Sequence, residues 1–251
     1  MLATLLSIEF KDYFRSASTA FWVFVYPFLV LFFLVAIFGN KTMVVSEQVD
    51  LQYGAFLLCG MVCINLVSTS LFGFTLPLVE NRNKGALKMY HLFPVWTPIY
   101  VVAVIVSRVA IATLFNLAFL VISAWILDVH LELTLFGWLS FILLLFVASS
   151  AFVVVGLFLA SVCDKTSTTT TVTNIIFFPL LILSNVFFPA EALPEFFREM
   201  TEYSPLQVTV NSMRAIVLNG DTILSAGKSL AVLVSMTLVF TLLSIRFFKW
   251  K

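Results

Sequence analysis

Long stretches in which nearly every position is apolar divide the chain at residues 21–39, 53–77, 98–127, 134–161, 166–188 and 226–247. A bilayer core about 30 Å thick is crossed by roughly 20 apolar residues in helical form. Each stretch therefore predicts a membrane-crossing helix, six in all. The runs are too long and too continuously apolar for the alternating strands, about ten residues each, of a membrane barrel. Ahead of the first span, residues 1–20 place Leu2, Leu5, Leu6, Glu9 and Tyr13 near one helical face, with Lys11, Asp12 and Arg15 towards the other. That pattern predicts an amphipathic helix in the membrane interface; the alternative is a disordered tail. The predicted class is an all-α polytopic membrane protein forming one transmembrane domain over 1–251.

Two stretches break the apolar rhythm. Between the second and third spans, Val79 to Pro98 is a charged island holding Glu80, Arg82, Lys84 and Lys88. Within 79–94, a helix from Asn81 to Phe93 would put Ala86, Met89, Tyr90 and Phe93 on one face and most of the cations elsewhere. It would then lie on the membrane with its cations towards water or a partner; the bland alternative is an ordinary basic loop. Between the fifth and sixth spans, residues 189–221 carry Pro189, Pro194 and Pro205. Ser204-Pro205 reads as an N-cap followed by proline at the first helical position, and Leu206, Val210, Met213 and Val217 then recur at helical spacing. A second short helix fits 194–202. Neither can span, so both predict re-entrant or interfacial half-helices, which need protein or water to satisfy their backbone.

Composition agrees: 61% of the 251 residues are hydrophobic and 11% charged, against about 25% charged in soluble domains. The net charge of +1 is uninformative, but its distribution is not. Lys11, Arg15, Arg82, Lys84, Lys88, Lys165, Arg246, Lys249 and Lys251 fall on one side of the six-span arrangement; Lys41, Arg198 and Arg214 fall on the other. The positive-inside bias then places both termini and the island in the cytoplasm. The long apolar run at 21–39 with no A-x-A site after it reads as a span rather than a cleavable leader.

Polar residues inside spans are the candidates for function. The second span carries Asn65, Ser68 and Thr69, and the fifth opens on Thr166 to Thr171, Thr173 and Asn174, followed by Phe177. Such hydroxyls either bond back to carbonyls four residues earlier or face a cavity or partner helix. Arg108 lies inside the third span and either snorkels or faces a polar interior. Pro179 predicts a kink in the fifth span. Gly156 and Ala160 form a small-xxx-small pair suited to close packing. Cys59 and Cys63 share a helix face with no histidine or carboxylate beside them, which favours packing over metal binding. Gly227-Lys228-Ser229 imitates the end of a phosphate-binding loop, but Thr222 stands where its first glycine is required. No hydrolase or metalloprotease motif occurs, and no carboxylate lies within a span, which disfavours an enzyme and a proton-coupled carrier.

Glu80-x-Arg82-x-x-Gly85-Ala86-Leu87, with Pro94 ahead of the next span, resembles the cytoplasmic loop of type-2 ABC transporter permeases. Phe188-Pro189, Leu193-Pro194, Ser204-Pro205 and Arg214 resemble that family's last outer segment. The loop has Ala86 where the family often has threonine. The resemblance implies a permease subunit of an ATP-driven exporter in a bacterial inner membrane. It would pair two-fold with a second copy or a related permease and be driven by two cytoplasmic ATPase subunits. ATP and Mg would sit on those subunits, with no cofactor or metal on this chain and no nucleic-acid partner. The island would be the coupling helix, with Glu80, Arg82, Gly85 and Lys88 as its contacts. Asn65, Ser68, Thr69, Thr169, Thr170, Thr173, Asn174 and Phe177 would line the path of an amphipathic or lipid-like substrate (drug, lipid or lipid-linked glycan). The competing readings are a non-transporting scaffold or sensor subunit coupled to an ATPase, and a secondary carrier.

Overall fold

The computed structural model describes residues 25–38, 42–44, 50–85, 97–129, 131, 133–187, 195–201 and 204–247. The expected interfacial helix over 1–20 and residues 86–96 of the island, Lys88 among them, lie outside the described residues. The elements are α1 (Tyr26–Phe38), β1 (Thr42–Val44), β2 (Asp50–Gln52), α2 (Tyr53–Leu71), α3 (Thr75–Asn83), α4 (Thr97–Ile126), α5 (Leu135–Val162), α6 (Thr166–Ile182), α7 (Glu195–Thr201), α8 (Pro205–Asn219) and α9 (Gly227–Phe247). Among the described residues, four helical stretches are long and apolar enough to cross a membrane: 53–83, 104–126, 135–162 and 227–247. The helices α1 and α6 are apolar but shorter.

Among the described residues that is fewer full-length spans than the hydropathy pattern predicts. The described helix in the first window has 13 residues, about 20 Å at 1.5 Å per residue. The fifth window, expected over 166–188, is helical for 17 residues. Pro179 stands inside this helix and leaves the Ile175 carbonyl without its ladder donor, but the helix runs on to Ile182. The Leu183 N–H then closes on the Pro179 carbonyl at 2.8 Å, and residues 183–187 are turns. The second window runs past its expected end at 77, as a broken helix of 31 residues over 53–83. The break at 72–74 has a cause visible in the chain: Pro77 has no N–H for the Gly73 carbonyl, and proline is tolerated only in the first turn of a new helix. Phe72 and Gly73 both donate to the Ser68 carbonyl, at 2.8 and 3.2 Å. The hydropathy pattern also missed a two-stranded antiparallel ribbon, with Thr42 opposite Gln52, Met43 opposite Leu51 and Val44 opposite Asp50.

The broken helix α2–α3 is the centre of the bundle: 89% of its best span window is buried, against 11% for α9. α2 packs on α1, α4, α5, α6 and α8, while α9 lies along α5 at the rim. Glycines set the closest approaches, as expected where lipid offers no hydrophobic drive and helices associate by packing. A Cβ on Gly60 would stand 2.8 Å from the Val186 carbonyl oxygen. One on Gly156 would stand 2.5 Å from Thr75 Oγ1 and 2.7 Å from the Ser70 carbonyl oxygen. Gly156 of α5 therefore serves the bend between α2 and α3.

The segment after α6 folds as half-helices. α8 begins with Pro205 after Ser204 and ends on Gly220, whose φ of 71° is left-handed; Asp221 N–H closes on the Ala215 carbonyl at 3.0 Å. Its apolar stripe Leu206, Val210, Met213 and Val217 is fully inside. α7 is a seven-residue helix with Glu195, Phe196, Arg198, Glu199 and Met200 exposed and Thr201 buried.

Candidate functional site

Three contacts align the broken helix antiparallel to α6 and the turns that follow it. Asn83 Nδ2 lies 3.4 Å from Thr166 Oγ1, Phe72 meets the Phe177 ring edge-on at 5.3 Å, and Gly60 lies against Val186. The alignment decides which candidate residues meet. The threonines that open α6 lie at the level of α3, while Asn65, Ser68 and Thr69 lie further along, beside the end of α6 and the turns that follow. The two groups therefore belong to different heights of the bundle.

Their exposure differs as well. Thr169 and Thr173 are fully buried, and so are Asn65 and Thr69; Ser68, Thr170, Asn174 and Phe177 are half-buried. Thr169, Thr170 and Thr171 donate to the carbonyls of Lys165, Thr166 and Ser167, at 2.9, 2.9 and 3.1 Å. Thr69 donates to the Leu66 carbonyl at 2.9 Å. These hydroxyls satisfy themselves within their own helices. Among the described residues, Asn65 Oδ1 and Thr173 Oγ1 are buried without a hydrogen-bond partner.

The island begins inside α3 and not after a span end. The helix that carries Glu80 and Arg82 starts at Thr75 and stops at Asn83. Gly85 follows with φ 76°, a left-handed position that suits glycine, and its N–H donates to the Arg82 carbonyl at 2.9 Å. A single helix from 81 onward is thus interrupted at Gly85. Glu80 and Lys84 are exposed and paired at 2.6 Å. Arg82, expected to face water or a partner, instead points inward and is only 8% exposed. Its Nη1 donates to the Ala160 carbonyl at 2.8 Å and its Nη2 to the Cys163 carbonyl. Those carbonyls lie at the C-terminal end of α5, where the ladder runs out and the helix dipole is negative, so a fixed cation is stabilised there. Arg108, left open by sequence, also faces the interior: its guanidinium carbon lies 5.6 Å from the Phe74 ring centre. It lines a small cavity with Thr69, Phe74, Ile111, Ala112 and Val153.

At the opposite end of the bundle a second arginine does similar work. Arg214 of α8 is buried and donates through Nη2 to the Asn185 carbonyl at 2.6 Å and to the Phe56 carbonyl at 3.2 Å. Gln207 Oε1 accepts from the Asn185 N–H at 2.5 Å, and Gln207 Nε2 donates to Asn211 Oδ1 at 3.0 Å. Ser212 and Ser229 share a hydrogen bond between α8 and α9. The sequence pointed to Arg214 through the charge distribution and a motif, and gave no prominence to Gln207 and Asn185. The available signal was a glutamine beside the apolar stripe of α8 and an asparagine at the end of an apolar run.

No curated protein matches the chain. The family described as ABC-2 type transporter matches residues 2–218. With the long apolar helices and the half-helices in that order, the chain belongs to the ABC-2 type transporter family and is the membrane permease part of such a transporter.

Proposed function

We propose that this permease crosses the bacterial inner membrane six times, with both termini in the cytoplasm, and forms a two-fold dimer that exports an amphipathic or lipid-like substrate. Two ATPase subunits would power it from the side that carries Arg82, Lys84, Lys165 and Arg246. The helices α1 and α6, both apolar but shorter, would supply the remaining two crossings. The observation that carries the reading is the joining of the island to the bundle. α3 carries the first charges of the island and packs against α5 and α6, so a push on it reaches the membrane helices. Glu80 and Lys84 stay exposed for contact with an ATPase, and Gly85 and Lys88 follow in the sequence.

The path would run along the half-buried residues Ser68, Thr170, Asn174 and Phe177. Asn65, Thr69, Thr169 and Thr173 become reachable only when the broken helix and α6 part, as rigid-body alternating access would require. The test is co-purification from a native membrane followed by reconstitution. The reading expects an ATPase partner whose hydrolysis a substrate stimulates, and loss of transport when Thr170 and Asn174 are replaced by leucine. A purified partner without transport would favour the scaffold reading. No ATPase at all would sink the proposal.

A further inference from the structure

We infer that Arg82 is a positioning residue that makes α3, the turn 163–165 and the start of α6 one mechanical body; its part in coupling rests on the ATP-driven reading above. α3 is seated at both ends on the last turns of α5. At its start, Thr75 fills the space left by Gly156, where a Cβ would lie 2.5 Å from its hydroxyl oxygen. At its end, Arg82 holds the carbonyls of Ala160 and Cys163. Its neighbour Asn83 reaches Thr166, the first residue of α6, at 3.4 Å.

The guanidinium suits this place for a physical reason. α5 ends at Val162, so the carbonyls of its last turn lack the partners that a longer helix would supply. A planar fork with several fixed donors can bind two of them at once, whereas an ammonium is a single point charge. On its other side α3 is separated from α2 by the break at 72–74, where the helical ladder is interrupted. The break is the natural joint, and the arginine side is the fixed one. Force arriving at the loop beyond Gly85 is then delivered to α6 through Arg82 rather than to α2 alone. Arg82 does this from inside the permease, with no contact to an ATPase.

The experiment has two arms, both read by hydrogen exchange of the full-length permease in lipid nanodiscs. In the permease alone, Arg82→Ala should raise exchange over residues 163–169 about tenfold, as expected for loss of charge-assisted hydrogen bonds that hold the segment. Arg82→Lys should give an intermediate rise, and Lys84→Ala none. In the complex with its ATPase subunits, ATP and vanadate should change exchange across 166–173. Arg82→Ala should lose that response while the ATPase stays bound and hydrolyses ATP. A short thiol cross-linker cleavable by dithiothreitol, joining Asn83→Cys to Thr166→Cys, should restore it, and dithiothreitol should abolish the rescue. The described native cysteines, Cys59, Cys63 and Cys163, are buried. A misfolded variant would not regain its response in this reversible way. Wild-type exchange in Arg82→Ala, a retained ATP response, or failure of the cross-link to rescue overturns the inference. An unmodified complex that does not respond to ATP overturns the transmission together with the transporter reading, and the first arm, which needs no ATPase, tells the two failures apart.

Discussion

Arg214 stacks on Phe56 and also binds that residue's own backbone: its guanidinium carbon is 3.5 Å from the ring centre, and its Nη2 donates to the Phe56 carbonyl at 3.2 Å. One side chain thus fastens α8 to α2 through a ring face and a carbonyl, and holds the turn after α6 through Asn185. Arg214→Ala should remove the stack and leave buried carbonyls short of a donor. The expected loss is about 3 kcal/mol, read as a lower thermal midpoint of the purified permease. Arg214→Lys should recover only part of it, because an ammonium cannot stack and fork at once. An unchanged midpoint in Arg214→Ala would contradict the clamp.

Gln207 and Arg214 hold opposite polar groups of the same residue, the Asn185 N–H and carbonyl. Their effects should therefore not add. The double variant Gln207→Ala/Arg214→Ala should be less destabilised than the sum of the single variants, by roughly 0.5–3 kcal/mol. A double-mutant cycle in chemical unfolding measures this, and simple additivity would mean that the turn at 183–187 is held elsewhere.

Three glycines make a graded series. Gly60→Ala and Gly156→Ala force a methyl group against Val186 and against Thr75 with the Ser70 carbonyl, whereas nothing lies within 4 Å of a Cβ at Gly227. The first two should each cost about 1–3 kcal/mol. Gly227→Ala, at the first residue of α9, should be neutral or slightly stabilising. Equal thermal midpoints for all three would refute the close approaches.

Thr173 offers a sign test. Its hydroxyl is fully buried with no hydrogen-bond partner among the described residues, so Thr173→Val should leave stability unchanged or raise it by up to about 1 kcal/mol. If the valine variant unfolds at a clearly lower temperature, a partner such as an internal water is required there.

Glu80 and Lys84 form an exposed ion pair at 2.6 Å, and exposed pairs contribute about 0–1 kcal/mol. Glu80→Lys should therefore hardly move the thermal midpoint. Under the proposed docking it should release the ATPase from the complex, which size-exclusion chromatography of co-expressed subunits reads directly. Intact assembly would remove Glu80 from the docking surface.

The order of elements was legible in the chain because hydropathy and proline are local signals. Apolar runs marked the long helices, and Ser204-Pro205 and the stripe Leu206–Val210–Met213–Val217 marked α8. Helix lengths were less legible, since apolar composition continues through the turns at 183–187 while the backbone does not. Pairing across the bundle was not legible at all. Asn65 and Thr169 read as one polar group until the antiparallel alignment of the broken helix with α6 put them at different heights.

In the charged island Glu80 and Lys84 are exposed, whereas Arg82 is buried. Sequence by itself determined that Arg82 lies at the edge of a span and that Arg214 lies in a half-helix. Only the tertiary structure decided that both turn inward. The reason is chemical: each arginine binds backbone carbonyls, at Ala160 and Cys163 and at Phe56 and Asn185. Every residue carries a carbonyl, so such an acceptor has no signature in the amino-acid sequence, and only the ends of packed helices show which ones are left without a donor.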